Sequence, residues 1–380
     1  MREMAQRPTI HYLTFYCIPE YANEQRRHSP SAQKMEYIID VINRLGYNVN
    51  LVSLSESSKN RIFFPKKKKV SNHLTFFLCP HIPGRYRESI SFRWFVHCYS
   101  KKHIKQGDIL LVYHTNCMRN DLLEQLCKKR GLTLIYEVEE IYAYAHDIVA
   151  KEQVEEEKQF LQCADKYLFC TETLQKAVNL RNLPYAIVEG SYKWVRPNIE
   201  KFNDGKIHCV YGGIISSVKK GAFLTVEMAK YLPENYVVHI LGFGEVDKLK
   251  LLIDQTKEER KCELIYEGLK KGEEYLEFIS KCDVGLALQT IDKDLCNHSF
   301  PSKLVLYMAS GLRVVAYKMD ILTISQMAKK IKFYESDNPE EIAKVVISIK
   351  NNDPSENKCL MEMLDQQFMT NFENLISKKD

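Results

Sequence analysis

The stretch "NHSFPSKLVLYMASGLRVVAY", residues 297–317, decides how the second half of this chain is read. A polar loop ends in Pro-Ser-Lys, an oily helical run follows, and a glycine separates that run from an apolar strand. Pro301 fits the first turn of a helix, where its missing N–H costs nothing. Gly311 fits the position just past the helix end, where positive φ is wanted. "LRVVAY" then reads as a buried strand. The unit is loop, helix, strand, with the backbone N–H groups of Ser302, Lys303 and Leu304 opening towards the loop. Such a helix start attracts anions; the alternative is one that merely faces solvent.

Outward from this unit the same alternation continues. Strand candidates lie at 206–212, 236–242, 262–268, 283–289, 312–317 and 331–336, with helical patterns between them. The first half repeats the scheme, with strands at 9–16, 47–53, 74–80, 108–114, 132–139 and 166–171. Helical stretches such as "SAQKMEYIIDVINRLG" and "KEQVEEEKQFLQCA" separate most of these. Alternation of this kind implies α/β architecture, with parallel sheets covered on both faces. A chain of 380 residues suits two such doubly wound domains. The aperiodic "SYKWVRPNIEKFNDGK" (191–206) marks their boundary.

Composition narrows the function classes. With 45% apolar and 27% charged residues the chain is an ordinary globular one, and no apolar run is long enough to span a bilayer. The first residues, "MREMAQRPTIHYLTFY", lack the apolar core of a signal peptide, so a cytoplasmic protein is expected. None of the 12 cysteines forms a C-x-x-C pair, and no Cys/His cluster has ligand spacing, so disulfides and zinc are not expected. The net charge of +5 hides an asymmetry: residues 1–110 hold 18 Lys and Arg against 8 Asp and Glu. Lys66, Lys67, Lys68 and Lys69, beside Phe63, Phe64, Phe76 and Phe77, suit peripheral contact with an anionic membrane. Nucleic acid is the competing partner for such a patch, and a solvated loop the third reading; the membrane is preferred, with no nucleic acid expected.

In open parallel sheets, ligands bind outside the carboxyl ends of the strands. That rule selects "GGIISSVKKG" (212–221), "GFGE" (242–245), "EGLKKGEE" (267–274) and "QTIDKDLCNHSFPSK" (289–303). Gly213, Gly242 and Gly244 allow close approach of backbone to a ligand. Lys220 can meet a phosphate as a point charge. Each signal alone is weak; together they point to an anionic, nucleotide-like ligand.

These residues in this order resemble the GT-B glycosyltransferases of the group 1 class. The match is tight over about 206–335: "GGIISSVKKG" for the glycine turn with Lys-Gly, "LGFGE" for G-x-G, "YEG", and "SFPSKLVLYMASGLRVV" for the donor motif. The resemblance implies two Rossmann-like domains facing a cleft: 1–195 binding the acceptor and 196–350 the nucleotide-sugar. It further implies a closing helix, 351–380, that packs back on the first domain. The donor it implies is a UDP- or GDP-linked sugar held as substrate, with no cofactor and no metal expected. Gly213, Lys220, Gly242, Phe243, Gly244, Gly268, His298, Phe300, Pro301, Ser302 and Lys303 would form its site. The helix start and the lysines would hold the diphosphate.

Two departures stand out. The family's pair of glutamates falls here on His298 and Leu306, and Leu306 cannot accept from ribose hydroxyls. The family's arginine after the first glycine turn falls on Ile214 or Ile215. In the first domain, Arg26, Arg27 and Ser31 could meet an acceptor or donor phosphate, or simply cap and solubilise their helix. His114, Glu137 and Glu139 stand at strand carboxyl ends, where a carboxylate could orient an acceptor hydroxyl or take its proton. Glu139 could equally favour a helix start. "DKD" at 292–294 reads as a surface loop rather than a metal site. The expected activity is glycosyl transfer to a lipid-linked or saccharide acceptor in surface polysaccharide synthesis. A non-catalytic binding subunit of the same fold is the alternative, and a nucleotide-sugar 2-epimerase ranks below both.

Overall fold

The computed structural model describes residues 7–21, 29–54, 62–82, 87–115, 120–145, 151–195, 199–218, 220–289, 300–349 and 354–377. The chain divides into two compact units, one of residues 1–190 with 367–380, the other of residues 191–366.

The first unit is built on an eight-stranded sheet of order β3-β4-β2-β1-β5-β6-β7-β8. Its strands are β1 (Ile10–Thr14), β2 (Val49–Ser53), β3 (Lys66–Lys69), β4 (Leu74–Leu78), β5 (Ile109–Tyr113), β6 (Thr133–Val138), β7 (Lys166–Phe169) and β8 (Tyr185–Ile187). All pairings are parallel except β3 on β4. The central strands β1 and β5 are buried at every position, as strands covered on both faces must be. The helix Ser29–Arg44 turns Met35, Ile38, Val41 and Ile42 inward along one stripe. Residues of the last helix, Pro354–Ser377, finish this core: the Phe368 ring lies 5.7 Å from Tyr37, and Lys166 Nζ donates to Leu375 O at 2.9 Å.

Two strands depart from expectation. The lysine run is the edge strand β3, and β8 closes the opposite edge. A lysine strand at an edge discourages pairing with another chain. Its register sets Lys67 opposite Phe77 and Lys68 opposite Phe76. Both phenylalanines are buried, which leaves Phe64, 80% exposed, as the open aromatic of the expected membrane patch and Phe63 stacked on His81.

The second unit carries a six-stranded, all-parallel sheet of order β11-β10-β9-β12-β13-β14. These strands are β9 (Ile207–Ile215), β10 (Tyr236–Gly244), β11 (Glu263–Gly268), β12 (Val284–Ala287), β13 (Arg313–Tyr317) and β14 (Ile331–Tyr334). Gly242, Phe243 and Gly244, expected in a loop, are instead the last residues of β10, in register with Gly213, Ile214 and Ile215. Gly242 has φ 152° and Gly244 φ 126°; a Cβ on Gly242 would lie 1.9 Å from Gly213 O. Only glycine lets β9 and β10 run on together to this edge.

Candidate functional site

The helix Ser302–Ala309 stands as the opening stretch implies, with one shift. Pro301 is the residue before the helix rather than its first residue, and Leu304 N donates to Pro301 O at 2.9 Å. Of the three N–H groups expected to face the loop, that of Leu304 is therefore committed. Among the described residues, no side chain caps this helix start. The far end closes as a Schellman motif: Gly311 N, at φ 82°, donates to Met308 O at 2.9 Å, and Leu312 N to Tyr307 O at 3.0 Å.

Small residues and tyrosines fix this helix on the sheet. A Cβ on Gly285 of β12 would sit 2.4 Å from the Tyr307 ring, so glycine there admits the helix. The Tyr307 hydroxyl accepts from Gly212 N at 2.8 Å, and a Cβ on Gly212 would lie 2.3 Å from the Tyr275 hydroxyl. Lys303, one turn up from Tyr307, lays its Nζ 4.4 Å from the centre of the Tyr211 ring. That Nζ is 3.2 Å from where a Gly213 Cβ would be. Lys303 and Gly213 are thus brought together at the carboxyl end of β9, with the helix start beside them. A cation over an aromatic face, next to bare backbone, is chemistry suited to a phosphate.

Lys220 is exposed and holds φ 52°, left-handed backbone that a side chain adopts at a cost. It immediately precedes the helix Gly221–Ala229. Gly268 ends β11 at φ 77°, Phe243 is 54% exposed, and Phe300, Pro301 and Lys303 are half-buried while Ser302 is exposed. Ile214 points outward at 43% exposure and Ile215 is buried. Leu306 is half-buried. His298 and the "DKD" run lie outside the described residues, as do Arg26 and Arg27; Ser31 is described and half-buried.

In the first unit, the predicted acidic and histidine residues belong to a buried network. Glu137 is fully buried and accepts from the Tyr12 hydroxyl at Oε2, while its Oε1 has no partner among the described residues. Burial, and then the neighbouring Glu139 charge, push the Glu137 carboxyl up to about 8. Lys34, itself buried, forms an ion pair with Glu139. Burial works most strongly against the Lys34 charge, but Glu139, Cys170 and Glu137 together outweigh it and the ammonium is held above its usual range. Glu139 keeps 21% of its side chain exposed and is the accessible member of the group.

His114 is buried and its Nε2 lies 2.8 Å from Glu157 Oε1. Glu157 also accepts from Tyr142 N and Ala143 N, both at 2.8 Å. Although burial opposes ionisation, these donors hold its carboxyl below the usual range. An ionised Glu157 accepts, so Nε2 is the donor of this pair. Nδ1 has no partner among the described residues. Sequence reasoning missed Lys34, Tyr12, Glu157 and the tyrosines Tyr211, Tyr275 and Tyr307 at the seat of the helix. Lys34 had a visible signal: it lies on the same apolar stripe as Ile38 and Val41.

Among the described residues, no group of three or more His, Cys, Asp or Glu could hold a metal ion, and no helix is long and apolar enough to cross a membrane.

Two Rossmann-like units of this topology, with a helix start at the carboxyl edge of the second, make up the GT-B fold. This chain has it. Neither a family model nor a curated protein matches its sequence. Solved structures do match. The lipopolysaccharide outer core galactosyltransferase WaaB superposes with a TM-score of 0.63 at 14% identity, over 97% of this chain and 99% of that one. HepE from Anabaena, in complex with UDP and glucose, gives 0.64 at 12% identity, over 97% and 100%. A UDP-forming α,α-trehalose-phosphate synthase from Burkholderia xenovorans, in complex with glucose-6-phosphate, gives 0.65 at 8% identity, over 97% and 100%.

Proposed function

We propose that the chain is a metal-independent glycosyltransferase of hexosyl type, moving a sugar from a UDP- or GDP-linked donor to a saccharide or lipid-linked acceptor in surface polysaccharide synthesis. One observation carries this reading: Lys303 Nζ, Gly213 and the start of the Ser302–Ala309 helix meet at one strand end. Glycosyl transfer needs a resting place for the charge of the departing nucleoside diphosphate. A helix start and two lysines, Lys303 and Lys220, supply it without a metal. In the first unit, Glu139 is the carboxylate that meets the acceptor hydroxyl, with Lys34 and Glu137 positioning it. That HepE holds UDP and glucose agrees with a nucleotide-sugar donor.

Calorimetric titration with UDP, GDP and their nucleosides tests the donor site. Lys303→Ala and Lys220→Ala should each weaken diphosphate binding about tenfold or more, since a charge-assisted contact contributes roughly 1.5–3 kcal/mol, and should spare the nucleosides. Equal losses for nucleoside and diphosphate would overturn the assignment.

The second reading, a non-catalytic binding subunit, rests on Leu306, which stands where the family's ribose-binding glutamate is expected. Because Leu306 is only half-buried, Leu306→Glu can be accommodated with its carboxylate reaching solvent. If the missing acceptor limits affinity, the folded variant binds UDP or GDP more tightly. A folded variant with unchanged affinity shows that other groups hold the ribose. A wild type that binds no nucleotide and releases no diphosphate favours the subunit.

A further inference from the structure

We propose that a pocket at the β3 edge of the first unit is a binding site for a phosphate ester with an apolar body, separate from the donor site. The cavity, about 310 Å³, lies between β3 and the helical segment that starts at Arg87. Its walls are apolar, made chiefly by Phe77, Trp94 and Tyr99, and its cations are Lys67 and Lys102; Lys66 also lines it but turns its Nζ towards the Tyr21 ring. The volume is at the small end for ligand pockets, room for a ring or short chain and one phosphate.

Helix geometry assembles these walls. Arg87–Trp94 is α-helical, Phe95–Tyr99 is π-helical, and Ser100–His103 resumes the α form. The widened turn is closed by Ser100 N donating to Phe95 O, five residues back. In an unbroken α-helix, residues 94 and 99 would point about 140° apart. Here the Trp94 and Tyr99 rings stand 6.1 Å from each other and both line the cavity. π-Turns of this kind recur at functional sites because they re-aim side chains at a cost in backbone regularity. The Tyr99 wall is held from behind: its hydroxyl lies 2.8 Å from His11 Nδ1, and His11 Nε2 lies 3.1 Å from Asp108 Oδ2.

Electrostatics gives the sign of the ligand. None of the lining residues is acidic, and His103 joins the lysines at the wall. Burial first, then the charges of Lys67 and Lys102, lower the His103 pKa, so the positive charge at this wall is that of the two lysines. Lys67 Nζ lies 5.4 Å from the centre of the Phe77 ring, over the apolar wall. Cations on an aromatic floor match an anion that carries an apolar group, from either a soluble phosphate ester or the phosphate of a lipid.

Cys98 lines the pocket and is exposed, while Cys359, exposed in the second unit, serves as an internal control. The rate of thiol alkylation at each is followed by mass spectrometry in the full chain. Phenyl phosphate is the soluble probe, and dihexanoyl phosphatidic acid below its micelle concentration is the lipid probe. A probe that fills the pocket slows alkylation of Cys98 several-fold and leaves Cys359 unchanged, with phenol and inorganic phosphate weaker. Protection by phenyl phosphate assigns a soluble ester; protection by the phosphatidic acid alone assigns a lipid. Lys67→Ser with Lys102→Ser, both at exposed positions, should weaken protection by about tenfold or more. No protection by either probe, or protection that survives this double change, would overturn the site.

Discussion

Glu137 sits where a carboxylate meets almost no water, and its proton follows from that. Its folded pKa of about 8 is raised above the ordinary value of 4.5, so the folded state binds the proton more tightly than the unfolded state. Stability from this group is therefore complete below about pH 4.5 and is lost as pH rises through 8. Glu137→Gln keeps the shape and an acceptor for the Tyr12 hydroxyl but carries no titration. The variant should be more stable than wild type at pH 8 by an amount on the order of 1–3 kcal/mol, and so melt higher, and the difference should shrink towards pH 5. Thermal melts at both pH values check this; an equal difference at the two would show that Glu137 is ionised throughout.

Among the elements, β3 is the one whose charge pattern carries a testable consequence. Its lysines alternate: Lys66 and Lys68 are half-buried, Lys67 and Lys69 exposed. The inner pair is engaged, Lys66 Nζ lying 4.7 Å from the Tyr21 ring centre and Lys68 pairing with Glu20. Only the outer pair presents its charge towards solvent, so attraction to a membrane falls on these two and exposed Phe64. At about 1 kcal/mol per lysine, docking is reversible and sensitive to salt. Co-sedimentation with anionic vesicles at low salt should be largely lost in Lys67→Ser/Lys69→Ser and retained in Lys68→Ser. A wild type that ignores such vesicles would end the membrane reading.

At the scale of the molecule, what was legible in the sequence was what short-range physics controls. Alternating apolar runs marked twelve of the strands, and Gly311 marked a helix end that the Schellman bonds reproduce. β3 was hidden because lysine has no apolar alternation; only its pairing with β4 makes it a strand. The Gly-Phe-Gly segment was hidden for the converse reason, since glycine reads as a turn until a parallel neighbour extends it. The candidate-site residues that share one element, Ser302 and Lys303, could be read as neighbours from the sequence. Tyr211, Tyr275 and Tyr307 could not, because three separate elements bring them together.

The first unit takes its final piece of core from residues 367–380, on the far side of all of 191–366. On the ribosome the chain emerges in sequence order. The second unit is therefore synthesised almost entirely before the first has Phe368 and Phe372, both buried, to close it. Until then Tyr37 lacks its ring partner and Lys166 its acceptor at Leu375 O. The earlier-made unit matures last. Deleting 367–380 should leave the second unit protected in hydrogen exchange while amides of Ser29–Arg44 and β7 exchange faster. Unchanged protection there would mean that the first unit closes its core without its late-arriving segment.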